Sequence, residues 1–163
     1  MGRELQGGIM RESQLIVERA VMTADRVYRN LWMGSAPMCE SEDSRRMHLR
    51  FDVLVLAAME HQPSSRCFPG VKVIHAPIDD GPQVPDNELR IVQQASILVA
   101  NALRHGKRVL VTCWQGRNRS GFIVALALVR LGCAPDKAIE LIRRARGETA
   151  LSNQAFVKII QVR

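Results

Sequence analysis

The stretch RVLVTCWQGRNRSGFIVALALVRLG, residues 108–132, limits the possible folds more than any other part of the chain. Arg108–Thr112 predicts a strand apolar enough to lie centrally in a sheet. The run from Ser120 predicts a helix buried on nearly every side and ending at Gly132. Between them, Cys113–Gly121 holds one cysteine, two glycines and two arginines. An apolar strand that passes through a short loop into an apolar helix fits the middle of a layered α/β domain.

The rest of the pattern agrees. Arg26–Tyr28 and Leu31–Met33 predict two short strands with a turn near Asn30, and residues 37–49 predict a helix. Asp52–Ala58 and Val71–Ile78 predict two further strands, while Pro63–Gly70 and DDGPQVPD (79–86) predict loops. Asp86 predicts a helix N-cap, because Glu88, Leu89, Val92, Ala95, Leu98 and Val99 follow at helical spacing; that helix stops near His105-Gly106. Pro135 opens another helix that ends at Gly147, and Ser152 caps a last short one through Ile160. Alternating strands and helices predict a single α/β domain over residues 25–163, with a central mixed, mostly parallel sheet flanked by helices. Residues 1–24 form an N-terminal extension in which ESQLIVERAV (12–21) predicts a short helix.

With 163 residues, 47% hydrophobic and 24% charged, the chain suits one domain with a full core. Its longest apolar run, Phe122–Val129, is too short for a bilayer, so no membrane insertion is expected. The segment MGRELQGGIM lacks a basic-then-apolar leader, so the expected setting is the cytoplasm, with the nucleus left open. A net charge of +7 fits an anionic partner or simply a solvated basic surface. Aromatic residues make up 4% and are not interleaved with basic ones, so no base-stacking platform is predicted. Cys39, Cys67, Cys113 and Cys133 form neither a CxxC pair nor a Cys/His zinc spacing, and no metal or cofactor is predicted. Scattered thiols in a chain without a leader are expected to be reduced.

The cysteine loop carries the chemistry. A helix N-terminus leaves amides unpaired and partially positive, so a phosphate placed there is held by backbone N–H groups. Gly116 and Gly121 permit tight curvature or close approach to a ligand. A cysteine at the base feels the same potential, which favours its thiolate. Arg119, six residues on, can reach back and grip two phosphoryl oxygens with its planar fork. The spacing alone is not the signal. Cys39 and Arg45 stand equally far apart in CESEDSR, but that segment has three acids and no glycine and would repel phosphate. The structural alternative for Cys113 is a core cysteine in a strand-to-helix turn.

CWQGRNRSG resembles the signature loop of the cysteine-based protein tyrosine phosphatases, C-x2-G-x2-R-[ST]-G. RVYRNLWMGSAP, DVLVLAA, VKVIHAPIDD, AIELIRRAR and SNQAF are similar to segments of the small dual-specificity branch of that superfamily. The likeness runs from about residue 25 to 160. It implies a phosphatase fold with a mixed sheet flanked by helices, Cys113 as nucleophile and Arg119 as phosphate ligand. It also implies a Ser120 hydroxyl that assists the sulfur, and an Asn153 that braces the loop. Trp114, Gln115, Gly116, Arg117 and Asn118 would line the substrate site, through their amides more than their side chains. The family usually has His where this chain has Thr112, whose hydroxyl could donate to the sulfur in its stead.

Phosphoester cleavage needs a proton for the leaving oxygen, and DDGPQVPD offers Asp79, Asp80 and Asp86. The resemblance points to Asp80, with Asp79 the alternative and a plain solvated turn the structural reading. The expected reaction is metal-free hydrolysis of phosphotyrosine and phosphoserine/threonine in proteins through a cysteinyl-phosphate. An RNA 5′-triphosphate or diphosphate end, a phosphoinositide, and a non-catalytic phosphoprotein-binding module remain as alternatives. NRSGF favours the RNA reading, Arg117 the lipid and Thr112 the binding module. Trp114 either walls the pocket or packs on a helix. Cys67 or Cys133 offers a reversible disulfide partner for Cys113.

Overall fold

The computed structural model describes residues 22–163. Strands β1 (Ala24–Tyr28) and β2 (Leu31–Gly34) lead to a short helix α1 (Glu42–Arg46), a 3-10 turn over Met47–Leu49 and strand β3 (Val53–Ala58). A second 3-10 turn, Ser65–Cys67, precedes β4 (Lys72–Ile78), α2 (Asp86–Arg104) and β5 (Val109–Thr112). Helices α3 (Arg119–Arg130), α4 (Pro135–Arg146) and α5 (Gln154–Gln161) complete the domain.

The five strands lie in the order β1-β2-β5-β3-β4. β1 runs antiparallel to β2, and every other pair is parallel. Val111 of β5 stands opposite Met33 on one side and Val55 on the other, so the strand entering the cysteine loop is the middle one, as its composition predicts. The period-2 pleat sends alternate side chains to two cores. Val53, Val55, Val109 and Val111 pack with α3, whereas Leu54, Leu56 and Leu110 pack with Met47, Phe51 and Phe68 on the other face. α3 is buried from Arg119 to Leu128, with α2, α4 and α5 against it. Phe122 of α3 stacks on Phe156 of α5 at 4.4 Å, and truncating either to Ala would cost about 3–5 kcal/mol. Among the described residues no helix is long and apolar enough to cross a membrane.

Several local expectations are corrected. The helix expected over 37–49 shrinks to Glu42–Arg46 plus the 3-10 turn, because Ser41 caps Ser44 and the preceding residues are used as a connector. Pro85, not Asp86, occupies the N-cap of α2, and Asp86 sits in the first turn, where its charge suits the helix dipole. Asn153, not Ser152, caps α5 by accepting from the amides of Ala155 and Phe156. Cys39 and Cys67 are joined in a disulfide, with Cα atoms 4.9 Å apart, so these two thiols are not reduced and Cys67 is not a partner for Cys113. The expected helix at 12–21 lies outside the described residues, and β1 begins at Ala24, inside the predicted extension.

Candidate active site

The loop from Cys113 to Asn118 joins the C-terminal end of β5 to the N-terminus of α3. Each of its carbonyls from Trp114 onward is claimed by a donor outside the loop. The Trp114 carbonyl accepts from the Ala36 amide at 3.2 Å, and the Arg117 carbonyl from the Leu151 amide at 3.2 Å. The Gln115 and Gly116 carbonyls accept from Arg146 Nη2 and Nε at 3.0 and 2.9 Å. The Asn118 carbonyl takes the Phe122 amide at 2.8 Å as the first bond of α3. No described protein group accepts the amides of residues 114–119. Peptide units are planar and trans, so carbonyls turned outward leave their amide hydrogens turned inward. The result is a ring of unpaired donors at a helix N-terminus, which is an anion site.

Gly116 makes that curvature possible. Its φ is +68°, and a Cβ there would lie 2.5 Å from the Gly34 carbonyl group and 2.7 Å from Arg146 Nη2. Gly121 admits Leu151 and Met33 against the first turn of α3.

Cys113 is a free thiol, 3% exposed, with its sulfur 3.2 Å from the Ser120 hydroxyl. Arg119, in the first turn of α3, is 7% exposed. Its Nη1 donates to Glu60 and to the Ile78 carbonyl, and its Nη2 donates to the other Glu60 oxygen at 2.6 Å. Nε–H and the second Nη2 proton have no described protein acceptor, so the side-on fork stays available for two oxygens of one oxyanion. The hydrogen bond to Glu60 pushes the Arg119 guanidinium up from its ordinary value, against the effect of burial. The same bond pulls the Glu60 carboxyl down.

Asp80 lies on the rim. Its two carboxylate oxygens accept from Asn118 Nδ2 at 3.0 Å and Asn153 Nδ2 at 2.8 Å. Asn153 also donates to the Gly81 carbonyl at 2.9 Å, so it ties the acidic loop to α5 while capping that helix. Asp79 is turned back on its own loop, where it accepts from the Asp80 amide at 2.9 Å. Asn118 does more through its side chain than expected, since it joins Asp80, Ser152 and the Asn153 amide. The Thr112 hydroxyl donates to the Val55 carbonyl at 3.0 Å and so belongs to β3, not to the sulfur. Trp114 is 48% exposed and sets its ring edge-to-face with His61. Gln115 and Arg117 are exposed beside it.

The structure thus brings Cys113, Arg119, Ser120, Asp80, Asn118 and Asn153 together. Glu60 and Arg146 were not legible in the sequence: both lie outside the loop and reach it only through the fold.

No family model matches the chain, and no curated protein does. Solved structures match it closely in shape. A mouse protein described as a dual specificity phosphatase, crystallised with zinc tungstate, aligns at 26% identity and TM-score 0.70 over 85% of this chain and 84% of its own. Human DUSP28 aligns at 26% identity and TM-score 0.70, over 85% of this chain and 90% of its own. The fold is that of the cysteine-based protein tyrosine phosphatase superfamily, and the chain is similar to members of its small dual-specificity branch. Tk-PTP in its active form shares the fold at TM-score 0.70 and 24% identity, over 86% of this chain and 97% of its own. Similarity to dual-specificity phosphatases supports phosphatase activity in general.

Proposed function

We propose that the chain hydrolyses phosphomonoesters of proteins, at phosphotyrosine and phosphoserine/threonine, through a cysteinyl-phosphate on Cys113. The observation that carries this reading is the free sulfur of Cys113 at the base of a loop whose carbonyls from Trp114 to Asn118 are all held from outside it. Inward amides and the free fork of Arg119 complement the equatorial oxygens of a phosphoryl group in flight. The thiolate attacks phosphorus as the phosphorus–oxygen ester bond breaks, and Asp80 gives its proton to the leaving oxygen. Asp80, now a carboxylate, takes a proton from water. That water attacks phosphorus, phosphate leaves, and the sulfur departs as thiolate with the Ser120 hydroxyl beside it. A shallow depression of about 470 Å³ lies beside the acidic loop, lined by Asp80, Pro82, Asn118 and Gln154.

The test is a pair of variants. Cys113→Ser is expected to lower p-nitrophenyl phosphate turnover by more than about 10³-fold while tungstate binding survives. Turnover at the wild-type rate would reject Cys113 as nucleophile. Asp80→Asn is expected to lose about 10²-fold on alkyl phosphates and much less on p-nitrophenyl phosphate, whose leaving group needs no proton. Equal losses would point to another acid. Phosphopeptides, 5′-triphosphate RNA and phosphoinositide head groups assayed side by side would decide the substrate.

A further inference from the structure

Arg146 ends α4, yet its side chain is only 8% exposed. It spends its donors on four groups from two distant parts of the chain. Nε and Nη2 take the Gly116 and Gln115 carbonyls at 2.9 and 3.0 Å. Nη1 pairs with Asp25 of β1 at 2.6 Å, and Nη2 also reaches the Thr23 hydroxyl at 3.2 Å. The other loop carbonyls are held by backbone amides of Ala36, Leu151 and Phe122. Arg146 is thus the side chain that sets two consecutive peptide units of the loop.

We propose that Arg146 is a positioning residue for the oxyanion, an inference that rests on the phosphatase reading of the Cys113 loop. The Gln115 carbonyl shares a peptide unit with the Gly116 amide, and the Gly116 carbonyl shares one with the Arg117 amide. By holding those two carbonyls outward, Arg146 aims the amides of Gly116 and Arg117 at the phosphoryl oxygens. Its charge is met by Asp25, so it acts through geometry rather than through its field. A lysine could keep the charge and the Asp25 contact, but its single ammonium cannot reproduce the rigid fork that spans both carbonyls.

Arg146→Ala and Arg146→Lys, compared with wild type, test the idea. Tungstate is the oxyanion probe, p-nitrophenyl phosphate the substrate and ethylguanidinium the rescuing agent. Both variants are expected to bind tungstate about 10-fold or more weakly and to lose about 10²-fold in kcat, the scale of losing oxyanion donors. Ethylguanidinium is expected to restore part of the Arg146→Ala activity and none of the Arg146→Lys activity. A folded Arg146→Lys with wild-type tungstate affinity and kcat overturns the proposal while leaving the Cys113 mechanism standing. Should Arg146→Ala fail to fold, Arg146→Lys alone decides. A wild-type protein that neither binds tungstate nor turns over substrate overturns the phosphatase reading and this proposal with it.

Discussion

Glu60 shows how one exposed carboxylate can govern a buried cation. It takes two of the five N–H donors of Arg119, and with the Ile78 carbonyl it fixes the guanidinium plane. Without it, the free fork would still exist but would no longer be aimed. Glu60→Gln keeps one oxygen acceptor and turns an N–H toward another N–H. We expect kcat/KM for p-nitrophenyl phosphate to fall about 10-fold or more, roughly the value of a charged hydrogen bond. The stability effect carries a pH signature. Arg119 holds the Glu60 carboxyl below its ordinary 4.5, so the stabilisation is complete above that pH and is lost as the pH falls through the lower folded value. The gap between wild type and Glu60→Gln in urea melts is therefore expected at pH 7 and should close in acid. It should stay under about 1 kcal/mol, because the Glu60 side chain is half exposed. A gap that is constant with pH would show that the pair does not contribute through its charge.

At the level of elements, the β5–loop–α3 unit was legible because its signals are local: an apolar run, glycines, then another apolar run. Strand positions and sheet type followed from the same periodicity. The helix caps were less legible, because Ser152 and Asn153 are both good cap residues and only the turn geometry chooses between them. At Asn153 the choice matters, since the residue links two elements. Its Oδ1 caps α5 and its Nδ2 holds Asp80 and Gly81. Asn153→Asp separates the two roles: the cap acceptor survives, and the donors to the acidic loop are lost and replaced by a like charge beside Asp80. We expect Asn153→Asp to keep its melting temperature within a few degrees but to lose about 10-fold or more of its turnover on phenyl phosphate. The loss on p-nitrophenyl phosphate should be smaller. Asn153→Ala, which removes the cap as well, should also lose about 1 kcal/mol of stability. Identical losses on both substrates would mean that Asn153 serves α5 alone.

Across the whole molecule, the feature least visible in the sequence is the Cys39–Cys67 bond, because the spacing of the four cysteines carries no pairing signal and pairing depends on where the fold brings two loops. One loop follows β2 and the other follows β3, with 28 residues of separation. The same loops already meet where His61 bonds the Pro37 carbonyl at 2.8 Å, and His61 in turn packs on Trp114. Closing a loop of that length removes chain entropy from the unfolded state worth about 3–4 kcal/mol in the simple model. At about 2–4 °C per kcal/mol for a domain of this size, losing the bond should lower the melting temperature by about 6–16 °C. The Cys113 loop should keep its shape, since its carbonyls are held by Ala36, Arg146, Leu151 and Phe122 rather than by the disulfide. A Cys39→Ser/Cys67→Ser variant is therefore expected to melt earlier than the oxidised wild type yet retain most of its turnover at 25 °C. Thiol titration of the unfolded oxidised protein should find the two free cysteines, Cys113 and Cys133, and reduction should raise the count to all four. Four reactive thiols before reduction, or equal melting temperatures for the variant and the unreduced wild type, would show that the bond does not hold these loops in solution.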